Sequence, residues 1–258
     1  MADYEKKRGA VMLDVENLSF EYMRGAAVLD GVTFKAEEGE LLAVLGANGA
    51  GKSTLFHCIL GFQRRFGGDI RIAGESVRRI NTRSLAKRIA FVPQSHAPTF
   101  NYTVFDMVLM GTSAQIGSLV SPGKTQTENA RRAIEILSIE HLAERGFTHI
   151  SGGEQQLALI ARAIAQQAKT LIMDEPTANL DFGNQIRVMT RIKELSKQGF
   201  TIVMSTHNPD HAKWFADRVV ALENGGIAAD GAPENILTED LICRLYHLQI
   251  NDLRRFYP

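Results

Sequence analysis

Residues 46–54, GANGAGKST, combine residue types that can hold a nucleoside triphosphate. They match the pattern G-x-x-x-x-G-K-[ST], follow the apolar segment LLAVLG and open a segment of helical character, STLFHCILGF. Glycines let backbone N–H groups surround the phosphates, the lysine can reach the β- and γ-phosphates, and the serine hydroxyl can bind Mg²⁺. The residues predicted to bind the nucleotide here are Gly46, Asn48, Gly49, Ala50, Gly51, Lys52, Ser53 and Thr54.

Two consecutive carboxylates follow another apolar segment, LIM at residues 171–173. Asp174 is suited to be a magnesium partner of the glycine-rich loop. Glu175 could polarise an attacking water, a role that a metal-bound Asp174 cannot also fill. The alternative interpretation is an acidic pair at the N-terminus of a helix.

Three further side chains are weaker candidates when each is considered alone. Gln94 follows RIAFVP, where a neutral amide could contact Mg²⁺ or water, or could simply be a solvated loop glutamine. His207 follows FTIVMST, at the strand end where ligands of open α/β sheets collect, although a single histidine is more often structural. Tyr22 offers a ring on which a base could stack, although by itself such a tyrosine is more typical of a core.

A second potential anion site is present in ISGGEQQ, residues 150–156. A serine and two glycines before a helix leave free backbone N–H groups and the positive end of the helix dipole pointing outward. Apolar residues recur at helical spacing in residues 157–165, so a rigid helix is predicted to carry this turn. Taken alone, the segment favours an ordinary helix cap packed within the chain.

The composition is typical of a globular protein, with 45% hydrophobic and 22% charged residues in a chain of 258. Lys plus Arg and Asp plus Glu both number 29, so the net charge of zero gives no general attraction to nucleic acid or anionic lipid. The only cysteines, Cys58 and Cys243, follow no metal-ligand spacing and indicate a reducing, cytoplasmic setting. No run approaches the roughly 18 apolar residues needed to span a bilayer, so a membrane function would need another chain to supply the span.

The apolar pattern also predicts the elements that position these side chains. The first forty residues read as strands and turns, and LLAVLG, RIAFVP, TLIMD and FTIVMST are apolar runs of the kind found in buried parallel strands. The segment GNQIRVMTRIKELSKQG is predicted to be a helix closed by Gly199, and RVVALENGGIAAD a hairpin turning on Asn224-Gly225. The last 26 residues or so are predicted to be helical.

The expected fold is α/β: a P-loop NTPase core with a mostly parallel sheet, an N-terminal antiparallel β region and an inserted α-helical subdomain. We expect residues 1–258 to form a single domain. Residues 1–94 and 166–258 would make the RecA-like core with the antiparallel β region, and residues 95–165, where helical spacing dominates, the helical subdomain.

Six segments occur in an order and at spacings that resemble the nucleotide-binding subunit of ATP-binding cassette (ABC) transporters: GANGAGKST, FVPQ, ISGGEQQ, LIMDEP, ANLD and STH. The resemblance runs from about residue 12 to residue 230 and is greatest to the ATPases of metal-chelate importers, which carry iron–siderophores, haem or cobalamin. It implies that ATP is the nucleotide, that Mg²⁺ is the cofactor and that Ser53 is one of the metal ligands.

The resemblance implies a role for each of the isolated candidates near the nucleotide. Tyr22 would stack on adenine, Asp174 would bind Mg²⁺, and Glu175 would be the catalytic base. His207 would be the switch that senses the γ-phosphate. Gln94 would contact the metal and the attacking water, and it would join the core to the helical subdomain.

The resemblance also implies that two cassettes pack head to tail. Ser151, Gly152 and Gly153 of one copy would close on the ATP held by the other copy, and Asp181 would lie in a loop facing the partner. Glu154 replaces the glutamine usual at this position, and a carboxylate there would repel a triphosphate unless it points away or caps the helix. Glu154 is therefore left out of the predicted binding residues.

The function implied is ATP hydrolysis that powers a membrane importer, from the cytoplasmic face of the inner (plasma) membrane. The implied partners are a second copy of the chain, polytopic permease subunits docked on residues 95–110 and, indirectly, a cargo-binding protein, with no nucleic acid. The alternatives are an ABC subunit for a different cargo and a non-transport ABC ATPase of DNA repair or translation. The sequence disfavours the non-transport alternative, because it has neither a long coiled-coil heptad run nor a second P-loop. A GTPase is disfavoured because no Asn-Lys-x-Asp sequence occurs.

Overall fold

The computed structural model of the chain describes residues 9–23, 25–94, 101–116 and 120–256. In chain order, the strands are β1 (Val11–Glu21), β2 (Ala27–Glu37), β3 (Leu41–Leu45), β4 (Gly67–Ile72), β5 (Glu75–Ser76), β6 (Ile89–Val92), β7 (Thr170–Met173), β8 (Thr201–Thr206), β9 (Arg218–Glu223) and β10 (Gly226–Gly231). The α-helices are α1 (Lys52–Ile59), α2 (Thr82–Ala86), α3 (Val104–Leu109), α4 (Lys124–Ile136), α5 (Gly152–Ala165), α6 (Phe182–Lys197), α7 (Pro209–Phe215), α8 (Pro233–Ile236), α9 (Glu239–Tyr246) and α10 (Ile250–Phe256). Short 3-10 helices are formed by Met110–Gln115, Glu140–Leu142 and Phe147–His149.

The main sheet has the strand order β10-β9-β3-β8-β7-β6 within the described residues. Its strands pair in parallel from β9 to β6, whereas β10 pairs with β9 antiparallel. Strands β3, β7 and β8 are buried along their whole length, which is why their sequences are continuous apolar runs rather than alternating ones. The predicted α/β fold with a mostly parallel sheet is confirmed.

The register of the parallel strands brings four strand ends to one edge of the main sheet. Leu45, the last residue of β3, pairs with Thr206, the last residue of β8. Met173 at the end of β7 pairs with Met204 of β8 and with Val92 at the end of β6. The segments that leave these four strands therefore start side by side, although they are far apart in the sequence.

A second, antiparallel sheet has the order β2-β1-β4-β5 and packs against α1. Its apolar face, with Leu13 and Phe34, shares a core with Phe56 of α1 and with Val44 of β3. Strand β2 starts at Ala27, earlier than the strand predicted from VTFKAEEGE, because residues 27–31 pair with the end of β1 although their sequence, AVLDG, does not alternate. The antiparallel β region thus holds α1 against the main sheet.

Helices α3, α4 and α5 pack on one another and form a layer beside the main sheet. Buried in this layer are Met107, Ile134, Phe147 and Ile160, which belong to the same core as Leu171 and Met173 of β7. The predicted subdomain begins at residues 95–100, which lie outside the described residues, so the division of the chain remains a prediction.

Two predicted turns have the backbone conformations that their sequences require. Asn224 and Gly225, between β9 and β10, have φ of 49° and 80°, as the two central residues of a tight hairpin must. Gly199, two residues beyond α6, has φ of 91°, which stops the helix as predicted.

The C-terminal residues are helical, as predicted, and α9 packs on the main core through Leu241 and Leu245. Arg244 of α9 forms an ion pair with Glu223 at the end of β9, with 3.1 Å between Nε and Oε2. The helix is thereby held against the strand that flanks β3. No helix in the described part of the chain combines the length and the apolarity needed to cross a bilayer.

Candidate active site

The glycine-rich loop lies between β3 and α1, where close approaches exclude side chains. A Cβ on Gly46 would lie 2.6 Å from the carbonyl oxygen of Leu222 in β9. Gly51 has φ of 104°, and a Cβ there would lie 2.9 Å from the carbonyl oxygen of Val28. Gly51 gives α1 no side-chain cap, so the first N–H groups of the helix stay available to an anion.

Lys52 is buried and folded back over this loop. Its Nζ donates to the carbonyl oxygens of Gly46 and Ala47, at 2.8 and 3.1 Å. The same Nζ lies 3.5 Å from Oε1 of Glu175. A single cation thus stands between the loop carbonyls and the predicted catalytic carboxylate.

Glu175 is the point at which the predicted catalytic side chains meet. Its side chain is 13% exposed. Oε2 lies 3.0 Å from Nδ1 of His207, and it accepts a hydrogen bond of 3.3 Å from Nε2 of Gln94. Lys52, Gln94 and His207 lie in the segments that follow β3, β6 and β8. The structure brings all three side chains to the carboxylate of Glu175, in the segment that follows β7.

A buried serine, which the sequence did not single out, holds the two carboxylate residues together. Ser205 of β8 donates to Oδ1 of Asp174 at 2.6 Å, and the backbone N–H of Glu175 donates to the Ser205 hydroxyl at 2.8 Å. Glu175 also has φ of 43°, a left-handed conformation that is uncommon for a residue with a side chain. The serine bridge fixes this turn, so that Glu175 points toward Lys52 while Asp174 is oriented from β8.

One signal in the sequence could have identified Ser205. It lies inside the apolar run FTIVMST, in a strand predicted to be buried on both faces. A buried hydroxyl needs a hydrogen-bond partner, and the neighbouring strand of a parallel sheet ends in a carboxylate. Such a serine is therefore a candidate for a residue that supports the site.

These side chains border a cavity of about 740 Å³ at the carboxyl edge of the main sheet. Of the predicted residues, those lining it are Asn48, Gly49, Gly51, Lys52, Ser53, Thr54, Gln94, Glu175 and His207. The predicted residues Gly46, Ala50 and Asp174 are not among its lining. The volume lies within the range of small-molecule sites, and its walls combine backbone N–H groups with a lysine.

Tyr22 lies at the margin of the cavity rather than in its wall. Its hydroxyl is 3.3 Å from Oγ1 of Thr54, and its ring packs edge-on against Phe20, with 4.8 Å between the ring centroids. Tyr22 does not belong to the core, because its side chain is 57% exposed. A stacked base would find this ring accessible, and the stacking itself stays a prediction.

The residues that line the cavity without having been predicted include Thr177, Asn179, Gln185, Asn208 and His211. Among them, His211 is buried, with Nδ1 3.3 Å from the Thr177 hydroxyl, and its burial lowers the pKa of the imidazole. Asn179 has a left-handed backbone, with φ of 61°. Sequence reasoning missed these residues because each is polar in a segment that reads as an ordinary loop or helix start.

The residues predicted to bind a metal carry the oxygen donors that Mg²⁺ prefers, namely the hydroxyl of Ser53, the amide of Gln94 and the carboxylate of Asp174. Within the described residues, no cluster of three or more His, Cys, Asp or Glu side chains suits a metal ion. Hydroxyl, amide and carboxylate oxygens fit a magnesium ion that also binds phosphate oxygens.

The Ser-Gly-Gly turn lies apart from the cavity of its own chain. Ser151 caps α5 and is exposed. Oε2 of Glu154 accepts from the backbone N–H of Ser151 at 2.8 Å and from its hydroxyl at 2.7 Å. These hydrogen bonds lower the pKa of Glu154. Glu154 therefore caps the helix, one of the two arrangements in which it would not oppose a bound anion.

The same turn packs tightly on the loop that contains Asp181. A Cβ on Gly153 would lie 2.7 Å from Oδ1 of Asn184, and one on Gly152 would lie 3.2 Å from a methyl carbon of Leu180. Asp181 is exposed and caps α6 by accepting from the backbone N–H of Asn184 at 3.0 Å. The structure brings the turn and the Asp181 loop together. Asn179 and Gln185, before and after Asp181, line the cavity with the glycine-rich loop, whereas Asp181 and the Ser-Gly-Gly turn are not among its lining residues.

Comparison with known proteins identifies relatives over nearly the whole chain. A sequence profile described as ABC transporter matches residues 29–178, which is more than half of the chain. An uncharacterized ABC transporter ATP-binding protein of Haemophilus influenzae is 44% identical over 92% of this chain and 89% of its own length. The molybdate import ATP-binding protein MolC of the same organism is 37% identical, over 95% and 92% of the two chains.

Two further comparisons extend the similarity. The hemin import ATP-binding protein HmuV of Nocardia farcinica is 35% identical over 93% of this chain and 84% of its own. Among solved structures, a protein described as a metal-chelate type ABC transporter, in an inward-facing conformation, matches with a TM-score of 0.81 and 37% identity. That match covers 92% of this chain and 89% of the other.

Replacing Ser205 with alanine should reduce nucleotide turnover by about 10- to 100-fold, because the carboxylate of Asp174 and the turn at Glu175 lose their common support. Thr201→Val is a matched control. Thr201 is an equally buried hydroxyl at the other end of β8, and it makes two hydrogen bonds, with Glu37 and Gly39. Both variants should lose similar stability in urea unfolding, and only Ser205→Ala should lose turnover; equal turnover in the two would contradict the role given to Ser205.

Proposed function

The chain belongs to the ABC transporter family, whose ATP-binding subunits hydrolyse ATP, and on this premise we propose that it works as a head-to-tail dimer that powers a membrane importer. The observation that carries the proposal is the meeting of Lys52, Gln94 and His207 at the carboxylate of Glu175, beside a glycine-rich loop. The exposed Ser-Gly-Gly turn, turned away from this cavity, supports the dimer.

ATP would bind with its phosphates in the glycine-rich loop, at the N-terminus of α1. Lys52 would leave the carbonyl oxygens of Gly46 and Ala47 for the β- and γ-phosphates, since a phosphate is a stronger partner than a carbonyl. The movement also separates Lys52 from Glu175. The binding of substrate thus frees the carboxylate that hydrolysis needs.

Hydrolysis would use Glu175 to take a proton from a water that attacks the γ-phosphorus, as the bond to the bridging oxygen of ADP breaks. Ser53, Gln94 and Asp174 would hold Mg²⁺, which supplies charge neutralisation at the β- and γ-phosphates when bound. His207, whose Nδ1 lies 3.0 Å from Oε2 of Glu175, would contact both that carboxylate and the γ-phosphate. The protein contributes mainly position and charge, as phosphoryl transfer requires.

The second copy would complete the nucleotide site. Ser151 and Gly152 are exposed at the N-terminus of α5, which suits an anion brought by another molecule. The Ser151 hydroxyl would exchange Glu154 for that anion, and the buried Gly153 would contribute its backbone N–H. In a twofold dimer each copy would offer this turn to the ATP of the other, so both sites would be completed by the same contact. Asp181, exposed beside the turn, would lie in the same interface.

A groove between the main sheet and the helical layer supports docking of a permease. Its cavity has a volume of about 320 Å³ and is lined by Phe62, which is 63% exposed, and by Phe91, Met110 and Arg162. Burial lowers the pKa of Arg162, and no carboxylate in the described part of the chain forms an ion pair with it. An apolar helix that carries one acidic residue, from the cytoplasmic side of a permease, would fit. Of the segment expected to dock, residues 95–100 lie outside the described residues.

The cargo we propose is a metal chelate, such as an iron–siderophore, haem or cobalamin. The likeness to the hemin import protein and to the metal-chelate type transporter supports this class, while the likeness to the molybdate import protein supports a metal oxyanion as the second candidate. The subunit would stay peripheral at the cytoplasmic face of the inner membrane, reach a cargo-binding protein only through the permease, and bind no nucleic acid.

Glu175→Gln should keep ATP binding and lower turnover at least about 100-fold, because the amide cannot accept the proton of the attacking water. The variant should accumulate as a nucleotide-bound dimer, measured by size-exclusion chromatography with ATP. Glu128→Gln, an exposed glutamate of α4, is the control and should hydrolyse ATP at the parental rate. Parental turnover in Glu175→Gln would remove Glu175 as the base.

Lys52→Ala and Ser151→Arg chains should each be inactive alone and should regain activity when mixed. In the mixed dimer, the intact loop of one chain faces the intact turn of the other, so one of the two composite sites is whole. With random pairing and independent sites, up to about a quarter of parental ATPase activity is expected. Full activity of Ser151→Arg alone, or no recovery in the mixture, would contradict completion by the second copy.

Arg162→Met should abolish co-purification of a polytopic membrane protein from detergent extracts, because an acidic group of the permease would lose the positive charge of the groove lining. The ATPase activity of the isolated subunit should be retained. Arg132→Met, an exposed arginine of α4, is the matched control and should keep the membrane partner, identified by mass spectrometry. Retention of that protein by Arg162→Met would rule out the groove as its docking site.

A further inference from the structure

The C-terminal helix α9 makes a direct contact with the residue that follows β8. The phenol of Tyr246 donates a hydrogen bond of 2.7 Å to the carbonyl oxygen of His207. Tyr246 is the last residue of α9 and lies 39 positions further along the chain. A residue outside all of the sequence motifs is thus bonded to the backbone of a predicted catalytic residue.

The position of the phenol is fixed by the packing of its helix. Leu241 and Leu245 bury one side of α9 in the main core, and the Tyr246 ring packs partly buried against the same core. On another side, Arg244 forms its 3.1 Å ion pair with Glu223. The phenol oxygen is therefore presented from a rigid support rather than from a free C-terminal segment.

The phenol of Tyr246 contacts the carbonyl of His207, a residue with few other contacts in the described part of the chain to hold it in place. His207 is the first residue beyond β8, and its side chain is 53% exposed. The turn is fixed on one side where the backbone N–H of Asn208 donates to Oγ1 of Thr206 at 3.0 Å. The bond from Tyr246 holds the carbonyl group of the same peptide, which joins His207 to Asn208.

The phenol is suited to be a permanent donor. Burial, together with the negative charge of Glu175, raises the pKa of Tyr246 well above its usual range. The hydroxyl therefore keeps its proton throughout the physiological range, and the bond to the carbonyl does not depend on pH.

We infer that Tyr246 is a positioning residue for His207, so that α9 forms part of the catalytic site. It acts through the backbone, by holding the His207 peptide at the place from which Nδ1 lies 3.0 Å from Glu175. This role rests on the proposed function of His207 in ATP hydrolysis, whereas the contact itself does not.

Tyr246→Phe removes the donor and keeps the ring. The ring ¹H–¹⁵N NMR signals of His207, assigned by their loss in His207→Asn, should shift in Tyr246→Phe, while those of His141 and His149 in the helical layer should not. The kcat for ATP should fall about three- to tenfold, the loss expected for one neutral hydrogen bond, with the KM for ATP unchanged. If the Tyr246 hydroxyl only stabilised the fold, its loss would lower the melting temperature but would not lower kcat while leaving KM unchanged.

Glu239→Gln is the matched control on the same helix. It removes the exposed ion pair with Arg254 but keeps the phenol and the contacts that support it, so the His207 signals and kcat should match those of the parent chain. If the His207 signals do not shift in Tyr246→Phe, the inference is overturned whatever the activity of the variant. It is also overturned if the signals shift but kcat equals that of the parent chain. If His207→Asn itself hydrolysed ATP at the parental rate, the proposed role of His207 would fail, and the NMR result would still decide the contact.

Discussion

The convergence of side chains at the candidate site depends on one negative charge, the carboxylate of Glu175. A carboxylate that is largely removed from water must be paired or hydrogen-bonded, and this one is met by the ammonium of Lys52, the amide of Gln94 and the imidazole of His207. Lys52 is at the same time bound to the carbonyls of the glycine-rich loop. The cation therefore holds together the glycine-rich loop and the carboxylate proposed as the catalytic base, and in the proposed reaction both would release it when ATP enters.

The parallel sheet brings these residues close to Glu175, but it does not by itself determine the orientation of their side chains. Adjacent parallel strands bring the residues to one edge, within a few ångströms of each other. The direction of each side chain then comes from local supports: the Ser205 bridge for Asp174 and Glu175, and the Tyr246 contact for His207. The left-handed backbone of Glu175, at φ of 43°, is tolerated because its N–H is fixed by a buried hydroxyl.

Much of the fold could be predicted from the sequence, because its strongest signals are local. Buried parallel strands leave continuous apolar runs, the glycine-rich loop is contiguous, and the hairpin at Asn224 and Gly225 is encoded in two residues. The supports of the site are different. Ser205 and Tyr246 act on residues 30 or more positions away, and no spacing rule connects them to their partners. The roles of Tyr22 and Ser151 also stay predictions, since each concerns a molecule outside the single chain.

The close packing of the Ser-Gly-Gly turn on the Asp181 loop has a mechanical consequence. A Cβ on Gly153 would overlap the side chain of Asn184, so the turn is in close contact with the start of α6, directly after Asp181. The Asp181 loop continues directly from Glu175, whereas the turn would face the nucleotide of the second copy. In the proposed dimer, this contact would therefore connect the catalytic residues of a chain to the nucleotide site of its neighbour. Cooperativity between the two bound ATP molecules would then depend on the close contact between Gly153 and Asn184.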